Sequence, residues 1–247
     1  MKLKVIYEPT GRAGEYAEFA TNPYIRCGHG CEYCYVFLKS HKTPEQFIKA
    51  ELRNGYLQKL EVDAKHLKSI GETRPIQLSF MCDPYQPIDE IYQITRKALE
   101  ILFKNELNVQ ILTKGGSRSV RDFDLFQMYR EHVTYGATLV FADDADALRM
   151  EPGAAPTSER IEVLEKAYKL GIKTWVSMEP VYDPKDAYEL INRTYTFVDK
   201  YKVGKLNYRP EQHNVDWKTF ALEVEKQLQA TGREYYLKND LREAKLT

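Results

Sequence analysis

Six strand-then-helix units in series predict an α/β fold, with parallel strands joined by right-handed crossovers. Three features of the sequence carry that expectation. Short apolar runs alternate with segments whose apolar residues recur at helical spacing. Proline and glycine punctuate the helical segments where helices begin and end. The polar, glycine-rich and metal-competent residues fall just after the strands. A closed barrel needs eight units, so six leave either a partial (β/α)6 TIM-like barrel or a doubly wound sheet. Both architectures place ligands at the carboxyl ends of the strands.

The first strand spans Glu18 to Ile25, and a helical region follows from Pro44 to Ser69. Ile76 to Phe80 (IQLSF) is the second strand, and the helix after it carries Ile91, Ile94, Thr95, Ala98 and Leu102 on one face. Val109 to Thr113 is the third, followed by a helix over Val120 to Tyr129. After the fourth strand, Thr134 to Val140, Pro156 and Thr157 open a helix bearing Ile161, Leu164, Ala167 and Tyr168 that stops at Gly171. Ile172 to Met178 and a helix over Pro184 to Asp199 form the fifth unit. Val203 to Asn207 and a helix over Trp217 to Gln229, with Phe220, Val224 and Leu228 on one side, form the sixth. The 247 residues read as one domain, with a core over about 18–210 and a C-terminal helix and strand over 211–247.

Hydrophobic residues at 43% and charged residues at 29% describe an ordinary globular chain. No apolar run approaches the roughly 20 residues of a membrane span, and MKLKVIYEPTGR lacks the apolar core of a signal peptide. A cytoplasmic, reducing setting is expected, in which clustered cysteines are metal ligands more often than disulfides. Lysine plus arginine equals aspartate plus glutamate at 36 each, so no basic excess points to nucleic acid. The short acid-free patch of Lys114, Arg118 and Arg121 is the one feature that permits it.

Reading the residues after each strand gives Cys27, Cys31 and Cys34, then Met81-Cys82-Asp83-Pro84-Tyr85, then Lys114-Gly115-Gly116. Asp143-Asp144, Glu179-Pro180 and Asn207-Tyr208-Arg209-Pro210 follow the last three. Taken singly these have plain readings as a solvated lysine, a turn or strand terminators. Together they lie on one rim of the sheet.

RCGHGCEYCY, residues 26–35, spaces three cysteines as Cys-x3-Cys-x2-Cys in a chain with one other cysteine. A structural zinc site wants four closed ligands, usually from two knuckles. His29 could be the fourth, but closing a tetrahedron within eight residues would be cramped. An iron-sulfur cube accepts three thiolates from one loop and leaves one iron open to an exchangeable ligand.

That spacing, with the aromatic Tyr35 directly after the last cysteine, resembles the radical S-adenosylmethionine superfamily. Further blocks resemble its spore photoproduct lyase-like branch: Asn22-Pro23-Tyr24, SFMCDPYQPIDE (79–90), ILTK (111–114), MEPGAAPTSERIEVLEKAYKLGI (150–172) and EPVYDP (179–184). They run over about two thirds of the chain. The resemblance implies a partial barrel, a 4Fe-4S cluster held by Cys27, Cys31 and Cys34, and S-adenosylmethionine bound at the open iron. It implies that Lys114 meets the methionine carboxylate, that Thr138 turns toward the cofactor, and that Tyr35 lies near the adenine. Cys82 falls where relatives carry a serine or threonine touching the cofactor, with Asp83 beside it. Cys82 is also the candidate hydrogen donor or a small buried residue. The lyase's own donor cysteine aligns with Phe80, which cannot donate a thiol hydrogen, so the thymine-dimer reaction does not carry over.

The remaining candidates have two readings each. His29 either bonds a cluster sulfur or faces solvent, and Arg160 either reaches a carboxylate or forms a surface ion pair. Asp143, Asp144 and Asp146 form a solvated acidic loop or, less simply, a cation site. Arg209 on the last rim loop is a substrate contact. The expected function is therefore a radical enzyme that takes electrons from an external flavodoxin- or ferredoxin-like donor, with DNA or RNA as a possible substrate. The alternatives are a 4Fe-4S electron-transfer module without S-adenosylmethionine chemistry and a zinc-stabilised nucleic-acid binder.

Overall fold

The computed structural model describes residues 2–36 and 42–246. Its main sheet has seven strands: β1 (Phe19–Thr21), β4 (Ile76–Leu78), β5 (Val109–Thr113), β6 (Val133–Thr138), β7 (Lys173–Val181), β8 (Lys200–Lys205) and β9 (Glu234–Leu237). They stand in that order, every pair parallel, and β1 and β9 remain edges, so the barrel is open. A separate antiparallel pair joins β2 (Tyr24–Ile25) to β3 (Glu51–Leu52).

Helices α1 (Pro44–Phe47), α2 (Tyr56–Ser69), α3 (Pro87–Tyr92), α4 (Ile94–Lys104) and α5 (Phe123–Met128) belong to the first half of the chain. Helices α6 (Asp144–Met150), α7 (Thr157–Lys169), α8 (Pro184–Thr194), α9 (Trp217–Thr231) and α10 (Asn239–Leu246) follow. Local chemistry sets their ends. Asp183 caps α8 by accepting the Lys185 N–H at 2.9 Å, with Pro184 in the first turn. Gly171 after α7 and Gly232 after α9 take the left-handed φ that closes a helix.

The sheet's helix-facing side is apolar: Ile76, Leu78, Val109, Ile111, Tyr135 and Val203 join the main core with Leu99, Leu102 and Leu164 of the helices. Its concave side is polar and aromatic. Gln110 of β5 bonds Gln77 at 2.5 Å and the Tyr16 carbonyl at 3.2 Å, and the Tyr16 ring lies 6.0 Å from that of Trp175. The Trp175 indole fits because position 136 is glycine; a Cβ there would stand 2.3 Å from the ring. The segment carrying Tyr16 thus fills the concavity that missing strands would otherwise close.

Six of the expected strands are present in the expected order, with adjusted bounds. The run Glu18 to Ile25 splits into β1 and β2 because Pro23 has no N–H to continue the ladder, and Asn22 turns its side chain to accept the N–H groups of Phe80 and Met81 at 3.0 and 2.8 Å. The helical region from Pro44 to Ser69 is interrupted by β3 and by Gly55 at φ 64°. Gln93 at φ 49° divides the helix after β4, leaving Ile91 exposed while Thr95, Ala98 and Leu102 stay buried. A 3-10 turn over Gly116–Asp122 takes the start of the expected 120–129 helix. The sixth strand begins at Lys200, three residues early; Lys202 donates its ammonium to the Tyr16 carbonyl at 2.6 Å, and that charge disguises the strand as solvated along the sequence. The strand expected near the C-terminus joins the same sheet as β9, beside β8. Among the described residues no helix is long and apolar enough to cross a membrane.

Candidate functional site

A cavity of about 530 Å³ opens at the carboxyl ends of the strands. Cys27, Cys31, Cys34, Tyr35, Cys82, Asp83, Lys114 and Thr138 all line it, so the structure gathers these eight candidates at one place. Thr138 at the end of β6 stands in register with Ser177 of β7, and both face the cavity.

The cysteine loop is held from several sides. The Gly28 N–H donates to the Gln86 side chain at 2.7 Å, the Glu32 N–H to the Met150 carbonyl at 2.9 Å, and the Gly153 N–H to the His29 carbonyl at 2.8 Å. His29 does not face solvent: it is 1% exposed, with Nδ1 3.5 Å from Asp83 Oδ2 and Nε2 3.1 Å from Arg118 Nη2. A guanidinium can only donate, so Nε2 accepts and the ring hydrogen lies on Nδ1, toward Asp83. Burial, aided by Arg118 and Lys114, lowers the His29 pKa to about 3, so the ring is neutral.

Asp83 joins that loop to Lys114. Its Oδ1 accepts from the Thr113 hydroxyl at 2.6 Å and the Tyr85 N–H at 2.8 Å, and its Oδ2 accepts the Lys114 N–H at 2.6 Å. Its carboxylate therefore acts inside the protein wall. The Lys114 ammonium lies 5.5 Å from the Tyr33 ring centre and 3.9 Å from the buried Glu151. Gly115 and Gly116 are more than a turn: a Cβ at 115 would meet Tyr85 at 2.6 Å and one at 116 would meet Ala155 at 2.5 Å. Cys82 is 6% exposed, its sulfur 3.4 Å from the Ser79 hydroxyl, and burial pushes its thiol up to about 12.

A second polar group forms the wall contributed by the later strands, and the sequence reading assigned none of its side chains a role beyond Glu179 as a rim residue. The Lys238 ammonium, 1% exposed, bonds both Glu179 carboxylate oxygens at 2.8 and 3.1 Å and the Arg12 carbonyl at 2.9 Å. Tyr16 donates its phenol hydrogen to Glu179 at 2.6 Å and stands 2.7 Å from the Ser177 hydroxyl. Tyr16 lies before the first strand and Lys238 after the seventh, so no local motif joins them.

Other candidates find internal partners. Arg160 is 1% exposed and pairs with Glu151, so of its two readings it reaches a carboxylate and does not form a surface ion pair. Arg118 donates to the Tyr85 and Gly153 carbonyls, and Arg121 pairs with Asp89, so with Lys114 they do not form an open basic patch. Asp143 and Asp146 are exposed, as the solvated reading expects, and Asp143 also caps α6 by accepting the N–H groups of Ala145 and Asp146. Arg209 pairs loosely with Glu211 at 3.9 Å and borders a smaller recess beside the cysteine loop.

Among the described residues, no three Cys, His, Asp or Glu side chains converge as they would on one metal ion. A single tetrahedral zinc with 2.3 Å bonds would draw its sulfurs to within about 4 Å of each other. Thiolates carried by different irons of a cube need no such convergence. Three half-buried thiols on one cavity wall form a soft donor set that fits an iron-sulfur cluster.

No protein-family model matches the chain. It is 28% identical over 211 residues to an uncharacterized protein of Methanocaldococcus jannaschii, covering 85% of this chain and 77% of that one. It is 27% identical over 210 residues to an uncharacterized protein of Acidianus two-tailed virus, covering 80% and 67%. The fold is shared with solved structures: SuiB of Streptococcus suis bound to S-adenosylmethionine superposes with a TM-score of 0.67 at 12% identity, over 89% of this chain and 50% of SuiB. This chain therefore spans half of SuiB's length. Spore photoproduct lyase complexed with dinucleoside spore photoproduct superposes with a TM-score of 0.70 at 14% identity, over 95% of this chain and 79% of the lyase. The resemblance to the spore photoproduct lyase-like branch thus holds for the fold.

Proposed function

We propose that this chain is a radical S-adenosylmethionine enzyme acting on a substrate bound in the cavity. The observation that carries the reading is the Cys-x3-Cys-x2-Cys loop on the wall of a roughly 530 Å³ cavity that also holds Lys114 and Thr138. Cys27, Cys31 and Cys34 would hold a 4Fe-4S cluster as its thiolate ligands. When bound with S-adenosylmethionine and reduced by an external flavodoxin- or ferredoxin-like donor, the cluster supplies a 5′-deoxyadenosyl radical for hydrogen abstraction.

Lys114 receives the methionine carboxylate as a fixed cation at a strand end, and Thr138 offers a hydroxyl on the adjacent strand. Tyr35 presents an aromatic face for the adenine. Asp83 holds the Lys114 backbone rather than the cofactor, and Cys82 remains the thiol available for hydrogen transfer. The polar wall of Tyr16, Glu179 and Lys238 shapes the space left for substrate. A nucleic-acid substrate rests on the likeness to spore photoproduct lyase alone, since Arg118 and Arg121 are engaged internally.

The test is anaerobic reconstitution with iron and sulfide, followed by reductant and S-adenosylmethionine. The expected product is 5′-deoxyadenosine from the wild-type chain and none from Cys31→Ala. A reconstituted cluster whose electron resonance spectrum ignores S-adenosylmethionine, with no 5′-deoxyadenosine, would establish an electron-transfer module instead. Deuterium passing from a candidate substrate into 5′-deoxyadenosine identifies the substrate.

A further inference from the structure

Glu151 is wholly buried beneath the cavity wall, within the stretch MEPGAAP. An isolated buried carboxylate is costly, and burial raises its pKa while Arg160 opposes the rise. Arg160 pairs with it and is itself fixed by the Ala155 carbonyl at 2.7 Å and the Thr138 carbonyl at 3.0 Å. One unit of positive charge is enough to balance the carboxylate. Two further groups nevertheless address its other oxygen: the Tyr33 phenol donates to Oε1, and the Lys114 ammonium stands 3.9 Å from the same atom.

Glu151 thus touches three parts of the site. Tyr33 lies between Cys31 and Cys34, Arg160 holds the end of β6 at Thr138, and Lys114 directly follows β5. Counting charges, Glu151 and Arg160 cancel, so the Lys114 charge is left for an anion in the cavity. Its position is nonetheless set by Glu151 on one side and the Tyr33 ring at 5.5 Å on the other. We infer that Glu151 is a positioning residue that fixes the Lys114 ammonium on the cavity wall and ties it to the cysteine loop through Tyr33. The inference rests on the proposed role of Lys114 toward the S-adenosylmethionine carboxylate.

Two arms test it. In the metal-free protein, Lys114 is labelled with a trace of acetic anhydride and quantified by mass spectrometry. Glu151→Asp keeps the negative charge Arg160 needs but withdraws it from Lys114 by one methylene, and labelling of Lys114 should rise several-fold while other buried lysines keep their rates. Glu151→Gln should do the same if it folds. In the reconstituted protein, equilibrium dialysis should show Glu151→Asp and Lys114→Met each weakening S-adenosylmethionine by about tenfold, and the double variant no weaker than Lys114→Met. Unchanged labelling of Lys114 in Glu151→Asp overturns the inference, as do losses that simply add. If the wild-type protein binds no S-adenosylmethionine, the proposed function fails, while the labelling arm still decides whether Glu151 holds Lys114.

Discussion

Asp83 accepts the backbone N–H of Lys114 at 2.6 Å while its same oxygen, Oδ2, stands 3.5 Å from His29 Nδ1 in the cysteine loop. One carboxylate therefore spans from the loop that bears the thiols to the strand end that bears the cation. Replacing Asp83 by Asn turns one acceptor oxygen into an NH2 donor facing another donor. Leaving buried groups unsatisfied costs about 1–3 kcal/mol each. Asp83→Asn should lower the unfolding free energy measured in urea by an amount in that range, whereas Asp83→Asn with undiminished stability would show that the carboxylate is dispensable.

Gly153 faces the cysteine loop from the other side. A Cβ there would lie 2.4 Å from the Gly28 carbonyl oxygen and 2.8 Å from the His29 Cα, both backbone atoms that cannot rotate away. Gly153→Ala should displace the loop at a cost of about 1–3 kcal/mol. Iron and sulfide retained per chain after reconstitution should fall, with helical circular dichroism unchanged; full retention would mean the loop relaxes freely.

Cys82 and the three loop cysteines should part company in metal analysis. Cys82 sits on a different strand end with its thiol against Ser79, so Cys82→Ser should retain the iron content of the wild type. Alanine at Cys27, Cys31 or Cys34 should remove most of it. Equal iron loss in all four variants would make Cys82 a ligand and leave no open iron.

Burial of the Lys202 ammonium predicts a stability that rises with pH. Lys202 is 7% exposed, and burial, then the nearby Lys200 and Lys238, lowers its pKa from 10.5 to about 8. Below pH 8 the ammonium is charged in both folded and unfolded chains, so its full desolvation penalty is present. Between about 8 and 10.5 the unfolded chain binds more protons, and stability therefore rises with pH. Denaturant midpoints between pH 7.5 and 10 should show this rise in the wild type relative to Lys202→Met; parallel profiles would place the ammonium in water.

The order of the strands, the side of the sheet on which the site lies and the eight candidate site residues are written locally. Strands and helices announce themselves by short periods along the chain, and loops at strand ends follow the strands. The cysteine spacing within RCGHGCEYCY needs only a few residues to be recognised. Charge that looks solvated along the chain misled the reading in several places. Lys202 hid the start of β8, and Arg118 and Arg121 read as an open basic patch although each is engaged by distant carbonyls or carboxylates.

What the linear chain determined was the metal-competent loop and the parallel α/β frame, because both depend on contacts a few residues apart. Tertiary structure alone decided what surrounds them. Tyr16, Glu179 and Lys238 meet across more than two hundred residues of sequence, and Glu151 reaches Lys114 and Tyr33 only because β5, β6 and the cysteine loop converge at one end of the sheet. Buried charges carry no periodic signal. Their partners are set by where the sheet's open concavity must be filled and neutralised, and that appears only once the strands have assembled into the sheet.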